Sequence, residues 1–151
     1  MLNNEDTVSV INNLIEVSKD GEAGFLKSAQ DVSNEQLTSF FLRRSEEVKQ
    51  SVLELQNLVR ELGGEPAGST SIAGYLHRRW VDLKTAIGDN DELAVLNEVE
   101  RGEDVALEAY WSASEKDLPT TAMLIVMRQL TGAQRNHDVV KEMRDALNAR
   151  S

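Results

Sequence analysis

Apolar residues recur along this chain at alternating steps of three and four. The first stripe runs Val8, Ile11, Ile15, Ser18, Glu22, Phe25, Ala29, Val32. Such spacing keeps one side of an α-helix turned toward a partner, and it predicts a helix from about Asn4 to Val32. A second stripe, Leu37, Phe41, Arg44, Val48, Ser51, Leu55, Leu58, Leu62, predicts a helix that stops at Gly63-Gly64, since glycine ends a helix in the left-handed conformation without strain. Ser33 followed by Gln36 has the form of a capping box. The link between these helices is so short that they must lie antiparallel.

Residues 65–71 have loop composition. A shorter stripe, Ile72, Leu76, Trp80, Leu83, Ile87, predicts a helix that breaks at Gly88-Asp89-Asn90. A third long helix follows, capped by Asp89 with Glu92 as box partner, with the seam Leu93, Leu96, Glu100, Glu103, Leu107, Tyr110, Ser114. Pro119 suits the first turn of a fourth helix, whose seam is Met123, Val126, Leu130, Ala133, His137, Val140, Arg144, Leu147. A helix of about 28 residues is roughly 42 Å long. The segment 64–89 is long enough to return the chain along that length, so the third helix is expected to run parallel to the second; the alternative is a five-helix array with the short helix docked at one end. The fold expected is therefore all-α, a single domain spanning 1–151: a ferritin-like four-helix bundle with a long crossover that contains an additional short helix.

The polar seam positions fall at a common height in that topology. Glu22, Arg44, Glu47, Glu100, Glu103 and His137 all lie roughly 15–20 Å from the end holding the first turn. Carboxylates gathered in a core must share protons, pair with a cation or hold a metal. Glu22, Glu47, Glu100, Glu103 and His137 are thus candidate metal ligands, with iron or manganese as the candidate ions and Arg44 as a balancing charge. Di-iron bundles use a Glu-x-x-His pair on each of two helices. Here Gln134-x-x-His137 and Glu47-x-x-Gln50 each keep half of that pair, so a single ion or none is expected rather than a full di-iron centre. The alternative is a metal-free structural network, with Glu22 neutralised by Arg44 and His137 bonded to Glu100 or Glu103. Gly21, Gly24, Gly102 and Gly132 sit inside predicted helices near these residues. They mark either close helix crossings or room for a ligand.

Charge and composition narrow the function classes. The chain has 26 acidic against 16 basic residues, a net charge of −10, which argues against nucleic acid or anionic lipid as a partner. It has no cysteine, which removes thiolate catalysis and Cys-built metal sites. No apolar run approaches the ~20 residues that span a bilayer, and the N-terminus lacks signal-peptide character. A cytoplasmic location is the expectation. No phosphate loop or catalytic motif fixes a reaction. Val95, Val99, Val105 and Trp111 are candidates for an exposed apolar face that would bind a partner or a second copy as a homodimer.

Several segments together carry a family resemblance. These are Asp20-Gly21-Glu22-Ala23-Gly24-Phe25, Leu62-Gly63-Gly64-Glu65-Pro66, the run Leu76 to Lys84, Glu100-Arg101-Gly102-Glu103-Asp104, and His137-Asp138. The chain resembles a bacterial family of ferritin-like four-helix-bundle proteins, domain of unknown function (DUF) family 2383. The resemblance covers nearly the whole chain. It implies a ferritin-like fold and a bacterial source, and it implies no established activity. A link to metal handling or oxidative stress follows from analogy of fold alone.

Overall fold

The computed structural model describes residues 1–68 and 92–150. The expected short helix over about 72–87, with His77, Arg78, Arg79 and Trp80, lies outside the described residues, as does the expected cap Asp89. Among the described residues the chain is all-helical, with four α-helices and no strand: α1 (Asn4–Asp31), α2 (Glu35–Glu61), α3 (Glu92–Ser114) and α4 (Thr120–Ala149).

Local chemistry sets the helix ends. The Asn3 side chain accepts a hydrogen bond from the Asp6 amide at 2.7 Å and opens α1. Asn34, not Ser33, caps α2. Its side-chain oxygen accepts from the amides of both Gln36 and Leu37, at 2.9 and 3.1 Å. A carboxamide at this position serves two of the orphan donors of the first turn, so it outcompetes the serine before it. Pro119 stands at the N-cap of α4, one residue before the first turn. At the end of α2, Gly63 takes φ +83°, and the amides of Gly63 and Gly64 donate back to the Arg60 and Val59 carbonyls. Gly64 then passes so close to α1 that an added Cβ would lie 2.8 Å from both γ-methyls of Val8. Asn12 clamps the departing chain: its side-chain nitrogen donates to the Glu65 carbonyl at 3.0 Å and its oxygen accepts from the Ala67 amide at 2.8 Å.

These contacts define the directions of the helices. The short links at 32–34 and 115–119 make α1 antiparallel to α2 and α3 antiparallel to α4. The Leu2 amide donates to the Asp117 carbonyl at 2.7 Å, which puts the start of α1 beside the end of α3. Those two helices are therefore antiparallel, and α3 runs in the same direction as α2. The chain leaves α2 at one end of the bundle and enters α3 at the other. α1 packs broadly against both α2 and α3, and α3 against α4, whereas α2 and α4 meet sparsely.

The core contains the stripes expected from the sequence. Ile11, Ile15, Phe41, Leu55, Leu96 and Val126 are sealed from solvent. Two expectations of exposure are corrected: Val95 and Val99 are buried members of the core. α3 packs on two neighbours at once, so it buries a wider arc than one seam describes. Val105 and Trp111 are exposed as expected. Among the described residues, no helix is long and apolar enough to cross a membrane.

Candidate functional site

Glu103 lies one turn from Leu107 and two from Tyr110 on the buried arc of α3, and its side chain is 7% exposed. The nearest cation is Arg44 on α2, with Nε 3.8 Å from the Glu103 carboxylate. That separation is too long for a hydrogen bond. Both Glu103 oxygens and Arg44 Nε are buried without a hydrogen-bond partner. Arg44 also donates to Glu47 at 3.3 Å and stacks over the Phe25 ring at 5.7 Å. Burial pushes the Glu103 carboxyl up to about 7, opposed by the charges of Arg44 and His137 and assisted by Asp104 and Glu100.

A second cluster joins α3 to α4. His137 Nε2 and Asp104 Oδ1 share a hydrogen bond of 2.5 Å, and Arg144 donates to Glu100 at 2.5 Å. Glu100 and Asp104 are four residues apart and so share a helix face. Donor atoms of Glu100, Asp104 and His137 all lie within 4.8 Å of one another. His137 Nδ1 and the second oxygen of Glu100 are buried without a hydrogen-bond partner. Three ligand-type side chains from two rigid helices thus converge, two of them half-buried and Asp104 exposed.

The five side chains singled out as metal ligands therefore fall in different surroundings. Glu100 and His137 come together, with Asp104 as the third donor. Glu103 sits with Arg44 inside the bundle. Glu47 is on the exposed side of α2, bonded to Arg44. Glu22 is half-buried, and its backbone carbonyl accepts the Ser45 hydroxyl at 3.2 Å. Arg44 is paired with Glu47 and Glu103 rather than with Glu22, and His137 bonds Asp104 rather than Glu100 or Glu103.

A cavity of about 210 Å³ lies between the helices, lined from all four. Glu103, Arg44 and Phe25 form part of its wall, and Glu47, Arg128 and Arg135 bring exposed side chains to its rim. Gly21, Gly102 and Gly132 line it too. A mid-helix glycine costs about 1 kcal/mol relative to alanine. Yet a Cβ added at Gly21 or Gly132 would meet no atom within 4 Å. Close helix crossing does not explain these two glycines, and a side chain at either would take up part of the open space beside it.

Another part of the wall is a hydrogen-bond network. Tyr110 donates to the Gln129 side-chain oxygen at 2.6 Å and lies 3.3 Å from the Ser18 hydroxyl. Gln129 in turn donates to the Ser51 carbonyl at 3.2 Å and to Glu54 at 2.8 Å, and Glu54 also pairs with Arg128. Burial raises the Tyr110 phenol above its ordinary range, so it remains a donor throughout neutral pH. Tyr110→Phe should lower stability by about 1–3 kcal/mol, because it strands a buried carboxamide oxygen. Urea unfolding checks this, and a change below about 0.5 kcal/mol would remove Tyr110 as the hub.

Asp104 and the Tyr110 network escaped the sequence reading. Asp104 lies one residue off the seam, and only its i, i+4 relation to Glu100 pointed to it. The network joins residues up to 92 positions apart, which local periodicity does not encode.

Residues 6–116 match the model of the family described as Domain of unknown function (DUF2383). No curated protein matches the chain.

Proposed function

The chain belongs to that family of unassigned function, and from this premise we propose that it is a ferritin-like scaffold that holds one divalent transition-metal ion weakly between α3 and α4. The observation that carries the reading is the convergence of Glu100, Asp104 and His137 within 4.8 Å. Two carboxylates and an imidazole suit iron or manganese, and three protein ligands leave coordination positions open. The unpartnered Glu100 oxygen supports the fit, since it keeps lone-pair capacity in a buried setting. When bound, the ion would supply a Lewis-acidic centre. Glu103 stays with Arg44 inside the bundle, and Glu22 and Glu47 also remain outside the set.

The binding is weak for a physical reason. Arg144 holds Glu100, and the bond between His137 and Asp104 must open before both can ligate. Metal therefore competes with an arginine and with a proton. The same two short bonds favour a second reading, in which they form a metal-free clasp between α3 and α4.

A manganese titration followed by electron paramagnetic resonance separates the two, using chelator-stripped protein at about pH 7.5. The metal reading expects saturable binding of one ion per chain. It also expects affinity to fall by about tenfold or more in both Asp104→Asn and His137→Ala, and to be unchanged in Glu47→Gln. Absence of binding, or equal affinity in all variants, leaves the clasp.

A further inference from the structure

We infer that the cavity between the four helices binds a small neutral planar molecule that presents an N–H next to a carbonyl, such as a lactam or cyclic amide. This site is distinct from the metal cluster, whose three donors do not line the cavity.

The space is built rather than left over. Gly21 and Gly132 interrupt two helices beside it without any packing reason, as an added Cβ at either meets nothing. The volume of about 210 Å³ exceeds the roughly 150 Å³ of an engineered apolar cavity that takes up benzene. A six-membered ring with one or two substituents is the matching size. Val17, Val48, Ala106 and the Phe25 ring offer apolar surface to its faces.

The polar walls define what the ring carries. On one side, Tyr110 and Gln129 spend their hydrogen bonds on each other and on Ser18, Ser51 and Glu54. On the other side, capacity is unfilled: one N–H donor at Arg44 Nε and two acceptor oxygens at Glu103. Glu103 is more than nine-tenths buried. The 3.8 Å gap between the two groups holds no hydrogen bond, so a small turn of Glu103 toward the cavity breaks none, while Arg44 stays anchored by its bond to Glu47. A guest N–H would meet Glu103 and its carbonyl would meet Arg44, completing both. The guest is neutral because the charged groups at the cavity and their partners already number three of each sign: Arg44, Arg128 and Arg135 against Glu47, Glu103 and Glu54. A charged guest would leave an uncompensated charge in a partly desolvated site.

The test is calorimetric titration of the full chain with 2-pyridone and with N-methyl-2-pyridone. Excess chelator is present throughout, so that failure here is independent of the metal reading. The two probes have the same ring and carbonyl, and only the first has the N–H. The expected result is one saturable site for 2-pyridone and at least about tenfold weaker binding of the methylated probe. Gly132→Leu, which fills the cavity, should abolish the 2-pyridone signal while circular dichroism shows the helices retained. Absence of saturable 2-pyridone binding, equal affinity for the two probes, or binding undiminished in a folded Gly132→Leu protein would each overturn the inference. The probe comparison uses the wild-type chain and so does not depend on a variant folding.

Discussion

Glu103→Gln should stabilise the protein by about 1–3 kcal/mol near pH 8 and have almost no effect near pH 4. The Glu103 carboxyl is pushed from an ordinary 4.5 up to about 7 in the fold, chiefly by burial. The folded state therefore keeps a proton that the unfolded chain releases. Its contribution to stability is fully present below about 4.5 and is lost as pH rises through about 7. At full size, a shift from 4.5 to about 7 corresponds to about 3 kcal/mol. Glutamine mimics the protonated acid in shape and never ionises, so it escapes this loss. The charges facing Glu103 are Arg44 from α2, His137 from α4, and Asp104 and Glu100 from α3. None is removed by the substitution, so the difference between variant and wild type isolates the one carboxyl. Urea unfolding of both proteins across pH measures it. A difference that stays constant from about pH 4 to about pH 8 would mean that Glu103 does not titrate in this way.

Phe41→Ala should cost about 3–5 kcal/mol, the largest loss expected from any single change considered for this protein. Phe41 is fully buried in α2. Its ring meets Phe25 of α1 at 6.3 Å and the neighbouring Phe40 at 5.8 Å. Removing it takes away transfer energy and leaves a void that rigid helices close poorly. The effect also reaches the cavity, because Phe25 stands in its wall beneath the Arg44 guanidinium. Urea midpoints for the two proteins give the comparison. A loss below about 1 kcal/mol would show that the ring cluster repacks, and would weaken the case for a rigid wall at Phe25.

Much of the scaffold was legible because α1 and α2 bury one face each. Their three-four stripes located both helices to within two residues of the observed ends. The direction of α3 also agrees with the crossover that the length of segment 64–89 allows. The cap of α2 was misplaced by one residue because Ser33 and Asn34 are both good cap residues, and only geometry selects between them. α3 exceeded a one-stripe description: it packs on two neighbours, so Val95 and Val99 went inside. The same two-sided packing separated Glu100 from Glu103. One turns toward α4 with Asp104 and His137, and the other turns inward to Arg44. A seam drawn through both could not distinguish these destinations. Glu22 and Glu47 share a height with the others but not a direction around the helix, and height was all that residue counting supplied.

The sparse meeting of α2 and α4 carries one last implication. Along that side, hydrogen bonds and an ion pair tie them together: Gln129 to Ser51 and Glu54, and Arg128 to Glu54. The broad apolar seam of α1 against α2 and α3 lies elsewhere. The bundle is thus glued along one spine and buttoned along the opposite edge. Water can replace the buttons at modest cost, whereas it cannot replace the glue. The least costly breathing motion therefore parts α2 from α4 and widens the interior, leaving the oily spine intact.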